Sequence, residues 1–191
     1  MHWLPNALTL SRLALLPPLM LLLAVGGTTA AWWALGLFLL ASVTDFFDGW
    51  LARRLGCASN LGVFLDPLAD KVFANVLLVY LAARHPDWVP LWIVLVIIAR
   101  EFAVQGFRSM APCVGVVIGT GQLNKYKLVL QLIACGTALG GLAWPAATPV
   151  LKPLTWLALL LALAAALWSM FTLFRDNADL WRRAPVSMER R

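Results

Sequence analysis

The chain has 191 residues, 62% of them hydrophobic and 13% charged, with 15 basic residues against 9 acidic ones and a net charge of +6. So apolar a composition excludes an ordinary soluble domain and fits a single membrane domain with little left over for a soluble module. The basic excess fits cytoplasmic loops facing anionic headgroups, and no nucleic-acid partner is expected.

A helix needs about 20 apolar residues to cross a bilayer core. Six stretches qualify: residues 8–25, 31–51, 63–83, 88–107, 123–143 and 151–174. The first follows Met1-His2-Trp3-Leu4-Pro5-Asn6, which lacks a basic n-region and a small-residue cleavage site, so it is read as a retained span. Pro17-Pro18 is expected to kink it. Gly26-Gly27-Thr28-Thr29 turns the chain into the second stretch, and Arg54-Leu55-Gly56 into the third. Arg84-His85-Pro86-Asp87, residues 112–121 and residues 145–149 supply the remaining breaks. The predicted fold is therefore all-α, with six transmembrane helices over residues 1–175 and a short charged tail over 176–191.

Trp32, Trp33, Trp88, Trp92 and Trp144 fall near span ends, where an interfacial aromatic belt is the plain account. Cys57, Cys113 and Cys135 show neither disulfide nor zinc spacing and are read as small apolar fillers. With both termini on one side, thirteen of the fifteen basic residues lie on or near that side, and only Arg84 and Lys152 on the other. The positive-inside bias places the termini in the cytoplasm, as a multi-pass protein of the inner membrane.

Four carboxylates break this apolar pattern. Asp45 and Asp48 lie near the end of the second stretch, and Asp66 and Asp70 near the start of the third. Measured from Arg53 and Gly62 as the shoulders of the hairpin, Asp48 and Asp66 lie roughly 6–8 Å along and Asp45 and Asp70 about 12 Å. Spacings of three and four residues keep each pair on one helix face. Four acids meeting at matched depths in a low-dielectric setting call for cations. Hard divalent ions, Mg²⁺ or Mn²⁺, fit an all-oxygen ligand set, and two ions fit four carboxylates. The site is expected to open to the cytoplasm as a polar cavity. Gly49, Ala52 and Gly62 either let the helices approach closely or leave room for a bulky ligand. Arg53 suits a phosphate or pyrophosphate. Arg108, Lys125 and Lys127 flank a cytoplasmic connection and are expected to converge on one dianionic group. Arg100 and Glu101 are adjacent, so they point in different directions. Glu101 is read as a supporting partner and not as a metal ligand.

The segment Asp45-x-x-Asp48-Gly49-x-x-Ala52-Arg53, eight residues, Gly62-x-x-x-Asp66-x-x-x-Asp70 matches every fixed position of the CDP-alcohol phosphotransferase motif, and the chain resembles that family. The resemblance implies a six-helix membrane enzyme, a homodimer, that moves a phosphatidyl or related group from a CDP-linked lipid to an alcohol. It implies that Asp45, Asp48 and Asp66 are metal ligands, and that Asp70 completes the metal site and acts as base on the acceptor hydroxyl. Gly49, Ala52, Arg53 and Gly62 would line the CDP pocket, with Asn6 and Thr9 also on the CDP-lipid.

A narrower resemblance, to the phosphatidylglycerophosphate synthases, rests on several segments. They are Asn6-Ala7-Leu8-Thr9-Leu10-Ser11-Arg12, Leu65-Asp66-Pro67-Leu68-Ala69-Asp70-Lys71, Arg100-Glu101-Phe102, Arg108, Lys125-x-Lys127 and Trp168-Ser169-Met170. By that likeness the donor is CDP-diacylglycerol, the acceptor sn-glycerol 3-phosphate, and Arg108, Lys125 and Lys127 hold the acceptor phosphate. Asn124 and Leu128 depart from the family's usual Gly and Thr, and residues 109–123 are unlike its usual sequence. Inositol phosphate, serine or phosphatidylglycerol as acceptor would keep the same chemistry. A divalent-cation transporter would use the acids but leave Gly49, Ala52 and Arg53 unexplained. A membrane prenyltransferase would release pyrophosphate instead of CMP.

Overall fold

The computed structural model describes residues 4–55, 60–114, 116 and 123–178, with side chains for 12–44, 68–112, 116 and 125–178. Cys57, the side chain of Cys113 and the tail from residue 179 onward lie outside the described residues.

Six α-helices follow in order: α1 (Leu4–Val25), α2 (Thr28–Leu55), α3 (Asn60–Arg84), α4 (Leu91–Met110), α5 (Leu123–Ala143) and α6 (Thr148–Asp176). No strand occurs among the described residues. Each apolar stretch read from the sequence falls almost wholly within one helix, and most of the helices extend past it by a few residues. α1 runs through Pro17 and Pro18 without interruption. Gly26 and Gly27 take φ of +75° and +85° to make the α1–α2 turn, a backbone conformation that a side chain would strain.

Two of the helices are long and apolar enough to cross a membrane within the described residues, at Lys125–Ala143 and Pro145–Asp176. Shorter apolar helical segments run over Arg12–Val25 and Thr28–Thr44. α3 and α4 carry ionisable residues within their length: Asp66, Asp70 and Lys71 in the first, Arg100, Glu101 and Arg108 in the second.

One apolar core joins all six helices. Leu16, Leu19 and Leu23 face Phe38 and Ala41, and Phe73, Leu77 and Leu81 continue the layer toward Ile93, Ile97, Leu139 and Leu159. Their three- and four-residue spacings are those of one helix face. Phe38 and Phe73 stack with ring centroids 6.0 Å apart. The broadest helix pairing is α5 on α6. There Ala134, Ala138, Ala158 and Ala162 are buried, and small residues at this spacing let helix backbones approach closely. Outward faces are apolar too, as Trp32, Trp33, Leu157 and Leu161 show, which suits a lipid surround.

The tryptophan belt needs one correction. Trp32, Trp33, Trp92 and Trp144 are exposed, but Trp88 is only 8% exposed. Its ring lies over Gly141, where an added Cβ would come within 1.9 Å of the Trp88 ring. The missing side chain at position 141 makes the slot that the indole fills. Gly141→Ala is therefore expected to destabilise the protein by about 1–3 kcal/mol, because a rigid ring cannot yield as a flexible side chain would. Thermal unfolding in detergent reads this directly, and an unchanged midpoint would show that the ring moves freely.

Candidate active site

Asp70 is the one motif carboxylate whose side chain is described. It projects from α3 toward α1, where Arg12 Nη1 donates to its Oδ1. The pair is largely buried, at 6% exposure for the Arg12 side chain and 20% for Asp70. Arg12 and Asp70 line a small cavity of ≈ 10 Å³ with Ser42 of α2, Phe73 of α3, and Leu128 and Leu132 of α5. Four helices thus meet at the carboxylate. A buried charge is retained only with a partner, and Arg12 is that partner.

Asp45, Asp48, Gly49, Ala52 and Arg53 lie on α2, Gly62 and Asp66 on α3, and Asn6 and Thr9 on α1. Their side chains lie outside the described residues. Among the described residues no three His, Cys, Asp or Glu side chains gather. The donor set nevertheless fits a hard divalent ion: the motif offers carboxylates alone, without thiolate or imidazole. Asp70 moreover already holds a cation in the form of the Arg12 guanidinium.

The predicted phosphate-binding trio is divided. Lys127 is buried, while Lys125, two residues earlier on α5, is exposed. Two residues along a helix span about 200°, so the two ammonium groups leave α5 on different sides. Lys127 Nζ donates to Glu101 Oε1 of α4. Asn75 Nδ2 donates to Glu101 Oε2 at 3.0 Å, and Gln131 Nε2 to Asn75 Oδ1 at 3.2 Å. Arg108 is half-buried near the end of α4, beside Phe107, which meets Phe174 of α6 edge-on at 4.9 Å.

Arg100 and Glu101 diverge as adjacency requires. Arg100 Nε donates to Ala166 O at 2.8 Å and its Nη2 to Ser169 Oγ, tying α4 to α6, while Glu101 turns to α3 and α5. Glu101 there pairs with Lys127 and accepts from Asn75. Sequence reasoning gave no role to Asn75 and Gln131. Their signal was an isolated amide in an otherwise apolar helix face. It also missed Arg12 as the partner of Asp70, although Arg12 closes the first of the family-like segments.

A larger cleft of ≈ 540 Å³ lies at the α5–α6 connection, lined by Pro145, Thr148, Pro149, Lys152, Pro153 and Trp156. It offers one cation and no acid, and none of the motif residues lines it.

Comparison with known proteins bears on this arrangement. A family model described as CDP-alcohol phosphatidyltransferase matches residues 2–173. The CDP-diacylglycerol–glycerol-3-phosphate 3-phosphatidyltransferase of Bacillus subtilis (strain 168) is 40% identical over 148 residues, covering 71% of this chain and 76% of that protein. The protein of the same name from Rickettsia bellii (strain RML369-C) is 38% identical over 132 residues, 69% of this chain and 71% of the relative. Its namesake from Escherichia coli (strain K12) is 31% identical over 188 residues, 92% of this chain and 96% of the relative. The match to the family model covers five helices, most of the sixth and the whole acidic motif, and the chain belongs to the CDP-alcohol phosphatidyltransferase family.

Proposed function

We propose that the protein transfers the phosphatidyl group of CDP-diacylglycerol to sn-glycerol 3-phosphate, giving phosphatidylglycerophosphate and CMP. The observation that carries this reading is the placement of Asp70. The last acid of the motif reaches a cavity shared by α1, α2, α3 and α5, with a buried cationic cluster on the neighbouring helices.

Asp70 accepts the proton of the acceptor hydroxyl. The hydroxyl oxygen bonds to the phosphorus that bears diacylglycerol, the bond from that phosphorus to the bridging oxygen of the pyrophosphate breaks, and CMP departs with the bridging oxygen. Arg53 meets the pyrophosphate, Gly49, Ala52 and Gly62 leave room for the nucleotide, and Asn6 and Thr9 flank the donor. Arg108 and Lys127 hold the acceptor phosphate within the bundle, while Lys125 on its exposed side draws the anion in from solvent. Asp45, Asp48, Asp66 and Asp70 would hold two Mg²⁺ or Mn²⁺ ions. Bound there, such ions offset the charge on the pyrophosphate and on the departing nucleotide.

In this reading residues 1–175 form the membrane domain, with six crossings, both termini in the cytoplasm and the polar cavity opening there. Residues 176–191 form its tail. The lopsided basic residues support the orientation. The enzyme sits in the inner membrane as a homodimer, surrounded by lipid.

The test is purified protein with CDP-diacylglycerol and each of a panel of acceptors, with and without chelator. CMP release is expected with glycerol 3-phosphate and is expected to stop on chelation. CMP release only with serine, inositol phosphate or phosphatidylglycerol would move the protein to another acceptor. Metal flux without CMP release would remove it from transferase chemistry.

A further inference from the structure

Around Glu101 the protein concentrates positive charge. Lys127 is 3% exposed, and besides Glu101 it feels the like charges of Arg100 and Lys71. Arg100 in turn feels Arg108. Glu101 thus lies near Lys127 and Arg100, which in turn feel Lys71 and Arg108, in a low-dielectric interior, a concentration of charge that an incoming anion would relieve.

The Glu101 carboxylate accepts at both oxygens. An ionised Glu101 only accepts, so Asn75 turns its NH₂ toward it and its own oxygen toward Gln131. Gln131 must then donate. Its Oε1, on a fully buried side chain, is left without a hydrogen-bond partner among the described residues. The amide chain thus runs from Gln131 through Asn75 and ends on Glu101 as acceptor. One oxygen of that anion is held on Asn75, and the other holds the flexible arm of Lys127.

We propose that Glu101 is a built-in competitor for the acceptor's phosphate: it holds the Lys127 ammonium until a phosphate dianion draws it away. In this role it sets both the affinity of the acceptor site and its selectivity for doubly charged acceptors. The inference rests on the transferase reading and names the residue that tunes its acceptor side. A neutral or zwitterionic alcohol brings too little charge to displace a carboxylate from an ammonium; a phosphomonoester dianion carries about twice the carboxylate's charge.

Inorganic phosphate serves as the probe, read by thermal unfolding of detergent-purified protein and by inhibition of CMP release. Glu101→Gln is expected to unfold at lower temperature than the wild type in phosphate-free buffer. Phosphate should restore that loss, stabilising the variant more than it stabilises the wild type. Phosphate should also inhibit the variant at roughly fivefold lower concentration, with the KM for CDP-diacylglycerol unchanged. Glu101→Asp keeps the charge but withdraws it from Lys127. It should move the same readouts in the same direction by less, which keeps the question decidable if Glu101→Gln is too unstable to purify. A merely structural Glu101 predicts lower unfolding temperatures that phosphate does not restore. Equal phosphate responses in wild type and variants overturn the proposal. Absence of CMP release with glycerol 3-phosphate sinks the transferase reading itself. Normal CMP release with unchanged phosphate responses sinks the competitor role alone.

Discussion

Asp70→Asn is expected to cost the protein about a hundred- to ten-thousandfold in CMP release, the range for losing a positioned general base. The substitution is nearly isosteric. The new amide would keep an oxygen for the Arg12 Nη1 donor and the same volume beside Ser42, Phe73, Leu128 and Leu132. It would lose the negative charge and the capacity to take a proton. Helical content should therefore be unchanged, and the unfolding temperature should fall modestly, because Arg12 loses one charged partner in a largely buried position. The loss should appear mainly in kcat, with a smaller rise in the KM for CDP-diacylglycerol, because Asp70 is also assigned to the ions that meet its pyrophosphate. Turnover near the wild-type rate in this variant would remove Asp70 from the chemistry. The arrangement makes the experiment clean, since the partner that positions Asp70 comes from a different helix and stays in place.

The helices were legible because long apolar runs punctuated by Gly, Pro and charge favour helices, which satisfy their own backbone groups. The family was legible through the spacing of the acids, and the divergence of Arg100 and Glu101 through simple adjacency, since neighbours on a helix diverge. What escaped depends on contacts between helices, which spacing along one helix does not encode. Arg12 reads as a topology-setting charge until α1 is packed against α3, where it becomes the counter-ion of Asp70. Trp88 reads as a belt residue until Gly141 on α5 is brought beneath it. Lys125 and Lys127 read as one phosphate clamp, although a separation of two residues already places them on different sides of α5. That signal was present in the sequence. Asn75 and Gln131 were visible as isolated amides in α3 and α5, but their value lies in a chain of hydrogen bonds ending on Glu101 of a third helix.

Lys127→Met separates the two duties that burial gives this lysine. Met fills the volume of the stem without the ammonium, leaving the Glu101 carboxylate largely buried with the Asn75 amide as its remaining donor among the described residues. Breaking one side of a buried pair costs about 3–5 kcal/mol, so a large fall in unfolding temperature is expected. The double variant Lys127→Met with Glu101→Gln removes both charges and should recover most of that loss, because no unpaired charge is then left buried. Acceptor use should not recover with it. A charged hydrogen bond to the phosphate is worth about 1.5–3 kcal/mol, so the KM for glycerol 3-phosphate should rise roughly ten- to a hundredfold in both the single and the double variant. Restored stability with a still-elevated acceptor KM assigns Lys127 to the phosphate. Restored stability together with a wild-type acceptor KM makes the lysine only the counter-ion of Glu101, and leaves Arg108 and Lys125 to read the acceptor's charge.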